Sequence, residues 1–149
     1  MADAPLLAVM EALADRIQIA LASAAAANGG IQIEPTRVLN PTPPCIDIYP
    51  ADPFLTRTAY GSVSWEAVFI VRARVLTADD QSGQELLLDL MDPRFGSSLI
   101  AAIEGDRTLA GTVDDLAVDE LTPTGFRFYQ DVDAATPHLG CEWRVKVEL

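Results

Sequence analysis

Between Ser62 and Thr77 the side chains alternate. Val63, Trp65, Ala67, Phe69, Val71, Ala73 and Val75 fall on one side, while Ser62, Ser64, Glu66, Arg72 and Arg74 fall on the other. A period of two is what a strand imposes, so this is a strand with one face in the core. Val68 and Ile70 interrupt the polar set, and the middle of that second face is therefore expected to be covered, by a helix or by another subunit. The C-terminal stretch repeats the pattern: Cys141, Trp143, Val145, Val147 and Leu149 oppose Glu142, Arg144, Lys146 and Glu148. A slip of one residue would put all four charges into the core, so its register is firm.

The other clear period is helical. Leu6, Met10, Leu13, Ile17 and Leu21 recur at spacings of three and four, which predicts an amphipathic helix from about Ala4 to Ala27 with a back face mostly of alanine. Asp3 is a plausible cap, Pro5 suits the first turn, and Asn28-Gly29-Gly30 supplies the left-handed stop. Thr77-Ala78-Asp79-Asp80 has capping-box spacing and opens a second helix through Leu86, Leu87, Leu90 and Met91, ended by Pro93. A short third helix runs from Ser97 through Leu99, Ile100 and Ile103 to Gly105, and Thr108 to Gly111 is a turn.

Between these lie weaker signals. Ile31 to Glu34 and Cys45 to Tyr49 are short strand candidates separated by Pro41, Pro43 and Pro44, which suits a sheet edge. Pro50 to Gly61 has no periodicity and is expected to be a long loop, with Phe54 and Tyr60 either tucked into the core edge or offered to a partner. Val113 to Leu121 and Phe126 to Asp131 suggest a hairpin turning through Thr122-Pro123-Thr124-Gly125. The resulting fold class is α+β: a mostly antiparallel or mixed sheet with helices packed on one face, in a single domain spanning residues 1–149.

Composition narrows what such a domain does. Half of the 149 residues are hydrophobic, which favours a packed core over disorder. The 22 acidic against 10 basic residues give a net charge of −12, and a phosphate-gripping surface needs the opposite balance. The one dense group of cations, Arg72, Arg74, Arg144 and Lys146, lies beside Glu66, Glu142 and Glu148, as on a paired sheet face. Cys45 and Cys141 are too few for a disulfide framework and point to a reducing compartment, with one bridge possible if their strands adjoin. The apolar run Ile17 to Ala27 is too short to span a bilayer and has an acidic flank unlike an export signal, so a soluble protein made in the cytosol is expected.

Candidate chemistry is sparse. His138 is the only histidine, so any nucleophile–base pair would need it; in Thr136-Pro137-His138-Leu139-Gly140 it is expected to sit in a solvent-facing loop. A zinc set of His138, Cys141 and Cys45 lacks a paired cysteine motif and needs Cys141 to leave the apolar face of its strand. The carboxylate pairs Asp79/Asp80, Asp114/Asp115, Asp119/Glu120 and Asp131/Asp133 fall at helix starts and turns, where they cap or solvate backbone. No catalytic residue, metal or cofactor is assigned.

Read in order, the chain resembles the tail terminator proteins of long-tailed bacteriophages. The resemblance rests on the alanine-rich helix ending in Asn28-Gly29-Gly30, the proline-rich step into Cys45-Ile46-Asp47-Ile48-Tyr49-Pro50, and the strand Trp65-Glu66-Ala67-Val68-Phe69-Ile70-Val71. It continues through Gln84-Glu85-Leu86-Leu87-Leu88-Asp89-Leu90, Ser98-Leu99-Ile100-Ala101-Ala102-Ile103 and Thr108-Leu109-Ala110-Gly111-Thr112-Val113 to the charged-alternating last strand. It implies a virion protein without catalytic residues, assembled in the host cytoplasm. The resemblance further implies a homo-oligomeric, hexameric ring that would cap the tail tube, stop its growth and meet a head-side connector while DNA passes through without specific binding. A neighbouring neck, connector or tube ring is the near alternative; a small acidic-site enzyme and a sheet-edge peptide adaptor are the distant ones. Phe54, Tyr60, Val68 and Ile70 are the candidate subunit or partner contacts, because exposed apolar patches mark interfaces.

Overall fold

The computed structural model describes residues 4–39, 44–57, 65–76, 80–119, 127–129 and 138–149. Among these the chain runs α1 (Leu6–Ala20), α2 (Ala22–Ala27), β1 (Gln32–Glu34), β2 (Cys45–Arg57), β3 (Trp65–Leu76), α3 (Asp80–Met91), α4 (Leu99–Glu104), β4 (Asp115–Asp119), β5 (Arg127–Tyr129) and β6 (His138–Glu148). The fold is α+β, as the periodicities predict. One sheet has the order β1-β2-β3-β6-β4, with β5 also on β6; β1 and β2 are parallel and the other pairs antiparallel.

The two strongly alternating segments are neighbours at the sheet's centre, in continuous register from Glu66 opposite Glu148 to Leu76 opposite His138. Their apolar sides form one face: Ala67, Phe69, Val71, Cys141, Trp143, Val145 and Val147 are all fully buried. Onto this face pack Val9, Leu13 and Ile17 of α1, Leu86, Leu87 and Leu90 of α3, and Leu99 and Ile103 of α4, with Ile46 and Ile48 extending it across β2. Apolar burial of this kind is the main favourable term in folding.

The first helix is divided at Leu21, where a single run through Ala27 is expected from the sequence. Leu21 leaves helical geometry (φ −99°, ψ 14°) yet stays 2% exposed, whereas no residue of Ala22–Ala27 is buried. The break keeps Leu21 in the core and lets the alanine turns depart from it. Their end is as anticipated: Gly29 adopts φ 73°, and Gly30 N–H reaches back to the Ala25 carbonyl at 2.7 Å. Pro5 occupies the N-cap position without a side-chain cap, and Asp3 lies outside the described residues. Ser98 caps α4, its Oγ accepting from Ala101 N–H at 3.1 Å.

Three expectations are corrected. Pro50 to Arg57 is not loop but the second half of β2; the register shifts between Pro50 and Leu55, and residues 51–54 bulge around Pro53, which has no N–H for the ladder. The segments near 115 and 127 do not form a hairpin. β4 pairs with residues 144–148 of β6 and β5 with 138–140, so they lie end to end along one edge of a longer strand. That strand's unpaired edge satisfies more backbone than a short two-stranded turn. Finally, His138 is not in a solvent-facing loop: it opens β6 opposite Leu76 and Tyr129 and is 5% exposed. The expected capping box at 77–79, the Thr122–Gly125 turn and the Asp131/Asp133 pair lie outside the described residues.

Trp143, the largest fully buried side chain, fills the core at the middle of β6. Trp143→Ala is expected to lower unfolding free energy by about 3–5 kcal/mol, read from chemical denaturation midpoints; a loss below about 1 kcal/mol would contradict the burial.

Candidate functional site

The second face of the sheet carries the chain's polar organisation. Directly opposed residues of antiparallel strands share a face. The register therefore stacks Asp47, Arg72 and Glu142 in one row, Tyr49, Ile70 and Arg144 in the next, Val68 and Lys146 in a third, and Glu66 and Glu148 in a fourth.

The first row is a buried ion cluster. Arg72 grips Asp47 with two bonds, Nε to Oδ1 at 3.0 Å and Nη2 to Oδ2 at 2.6 Å, and Arg74 Nη2 reaches the same Oδ2 at 3.2 Å. All three side chains are at most 2% exposed. The chain between β1 and β2 lies over them: Val38 N–H donates to Asp47 Oδ2 at 3.0 Å, and the Val38 carbonyl accepts from Arg74 at 2.7 Å. Charges out of water persist only when paired and hydrogen-bonded, and this geometry supplies both. The sequence places Arg72 and Arg74 with Glu66, Glu142 and Glu148, but their carboxylate is Asp47. The signal was its position, two residues from Cys45 and from Tyr49 on an alternating strand.

Tyr49 links this cluster to the apolar centre. Two guanidiniums lie over its ring, Arg37 at 4.9 Å and Arg72 at 5.1 Å from the centroid, and its hydroxyl donates to Glu142 Oε1 at 2.8 Å. Burial, then the bond to Glu142, raises its pKa. Tyr49 packs against a small cluster of Ala51, Val68 and Ile70, separate from the main core and containing no helical residue. Among the described residues no helix covers Val68 and Ile70, where the sequence predicts a helix or another subunit; each is 9% exposed, beside Lys146 and Arg144 in the facing strand. Lys146 Nζ is 3.8 Å from Glu66.

Of the other candidate contacts, Phe54 turns to the opposite face, half-buried, with its ring edge-on to Phe69 at 5.2 Å. It therefore does not join Val68 and Ile70. Tyr60 lies outside the described residues. Leu55 and Trp65, 43% and 38% exposed, stand near the same end of the β2–β3 pair, and Arg57 lies over the Trp65 ring at 5.1 Å. The alternation places Trp65 on the core side, but at the end of β3 the core no longer covers it; Leu55 had no signal beyond being apolar.

The two thiols are kept apart. β3 lies between their strands, and Cys45 stands opposite Arg74 while Cys141 stands opposite Ala73, so they point to opposite faces. Both are free and buried, and among the described residues no group of three or more His, Cys, Asp and Glu side chains is arranged to hold a metal. Burial raises the Cys45 thiol to about 11 and the Cys141 thiol to about 12, with Asp47 and Glu142 adding to the respective shifts. No protein-family model matches the chain, and no curated protein matches it.

Two outcomes are expected. Asp47→Ala, which strands two buried guanidiniums, should cost about 3–5 kcal/mol in denaturant unfolding, whereas Arg144→Ala should cost under about 0.5 kcal/mol. Maleimide labelling of both thiols at pH 8 should proceed only as fast as the protein unfolds, because the reactive thiolate is scarce at that pH and both sulfurs are covered; labelling within the mixing time would contradict this.

Proposed function

We propose that this chain is a structural ring subunit of a long-tailed bacteriophage, a tail terminator that caps the tail tube and meets the head-side connector. The reading rests on the sequence resemblance, which runs from the alanine-rich helix to the last strand. The structural observation that favours an assembly role is the end of the β2–β3 pair, where Leu55 and Trp65 stand 43% and 38% exposed on neighbouring strands. Large apolar side chains left open together on a surface mark partner contacts.

The acidity fits the same role. A channel wall rich in carboxylates keeps a passing phosphate backbone from adhering. It also opposes ring closure: six copies at −12 each would carry −72 formal charges, so closure needs local attraction at every joint. Assembly should accordingly strengthen with ionic strength or on contact with tube ends.

Purified protein should give rings in negative stain, or bind the ends of tail-tube polymers and halt their elongation as followed by light scattering. A monomer that neither closes into rings nor touches tube ends defeats the proposal. Incorporation along the tube, rather than only at its ends, would assign the chain to the tube instead.

A further inference from the structure

The chain holds two asparagines, and the residue after each decides its chemistry. Asn40 precedes Pro41, whose nitrogen carries no hydrogen to give up. Asn28 precedes Gly29, whose nitrogen carries one and has no side chain beside it. This pair sits where α2 ends. Asn28 closes the helix at φ −114° and ψ 18°, its Nδ2 donates to the Ala24 carbonyl at 2.8 Å, and Gly29 and Gly30 turn left-handed at φ 73° and 106°. Both glycines are exposed, with no atom within 4 Å of where a Cβ would stand.

The Gly29 nitrogen is open to solvent. Asn28 N–H and Gly30 N–H both return to the Ala25 carbonyl, whereas Gly29 N–H has no partner among the described residues and can lose its proton to hydroxide. What holds it off the side chain is the backbone: at ψ 18° the Gly29 nitrogen points away from the Asn28 Cγ, so attack waits on rotation about the Asn28 Cα–C bond. That rotation disturbs little. No residue of Ala22–Ala27 is buried, so undoing the last turn breaks the bonds to the Ala24 and Ala25 carbonyls and exposes no core. Six residues are also too few to sustain a helix by themselves.

We propose that Asn28-Gly29 is a self-modifying site, which converts as the protein ages and releases α2. The deprotonated Gly29 nitrogen bonds to the Asn28 Cγ, the Cγ–Nδ2 bond breaks, and Nδ2 takes up protons from water and leaves as ammonia. Water then opens the five-membered imide at either of its two carbonyls, giving aspartate or, with the backbone rerouted through the side chain, isoaspartate. The net change is one water consumed and one ammonia released, with no enzyme or oxidant. Either product carries a carboxylate, which accepts only, so the donation to Ala24 is lost. That carboxylate stands at the C-terminal end of a helix, where the dipole disfavours negative charge. Isoaspartate also adds a methylene to the backbone ahead of Gly30, which spoils its bond to the Ala25 carbonyl. The conversion adds one negative charge to a chain already at −12, and it does not depend on the ring reading.

The test follows the folded full-length chain by peptide mass spectrometry at pH 7 and pH 9, with the same chain in guanidinium chloride as the unstructured reference. The peptide carrying Asn28 should gain the mass of an amide-to-acid conversion, as aspartate and isoaspartate together, and faster at pH 9 because hydroxide supplies the reactive nitrogen. Its rate should exceed that at Asn40 at least about tenfold. It should also lie within about tenfold of the rate in the unfolded chain, since opening this helix end costs little. Slower conversion in the folded chain, or a rate at Asn28 no higher than at Asn40, overturns the site. Asn28→Gln, whose longer side chain cannot close a five-membered ring, should stay unconverted over the same period; conversion at the wild-type rate overturns the attack by Gly29. In the converted chain the Cα chemical shifts of Ala24–Ala27 should move to coil values while those of β3 and β6 stay in place, and unmoved shifts at Ala24–Ala27 overturn the release of α2.

Discussion

The pairing of β3 with β6 fixes everything else in this molecule. Both strands alternate, so a slip of one residue would turn the charges of β6 into the core, and the observed register puts Phe69, Val71, Trp143 and Val145 on the same side. Once it is set, the apolar side calls for α1, α3 and α4, and the other side inherits Arg72, Arg74, Arg144 and Lys146 in a fixed arrangement. The polar face is thus a by-product of the demand that the core be dry, and its side-chain order follows from strand geometry.

The Asp47 cluster shows what that inheritance costs and how it is met. Two guanidiniums on one strand cannot both remain buried without an anion and acceptors, and the neighbouring strand provides one carboxylate while the preceding connection adds the Val38 carbonyl. This ties the connection before β2 to the sheet at a place where the chain has little apolar content to hold it. The parallel pairing of β1 with β2 then follows, since a chain crossing over the second face can return in the same direction.

Legibility in the sequence tracked how local the cause was. The central strands, the buried stripe of α1, the glycine stop after Ala27 and the end of α3 before Pro93 follow from period or single-residue stereochemistry, and each stands where those rules place it. What escaped depends on partners distant in sequence. That β2 continues past Pro50 is decided by β3 offering Ala67 and Glu66 to Leu55 and Thr56. That β4 and β5 avoid each other is decided by the length of β6, and that His138 is buried follows from the same long strand. On α3 the leucines that the sequence marks, Leu86, Leu87 and Leu90, are the buried ones, and Leu88, outside that set, is 54% exposed.

The brevity of the outer strands has a consequence of its own. β1 has three residues and ends at Glu34, while the opposite margin is divided between five residues bounded by Asp115 and Asp119 and three more in β5. Short, interrupted, carboxylate-flanked borders make poor templates for cross-β stacking. A polypeptide half of whose residues are hydrophobic is in this way guarded against amyloid-like growth at high concentration.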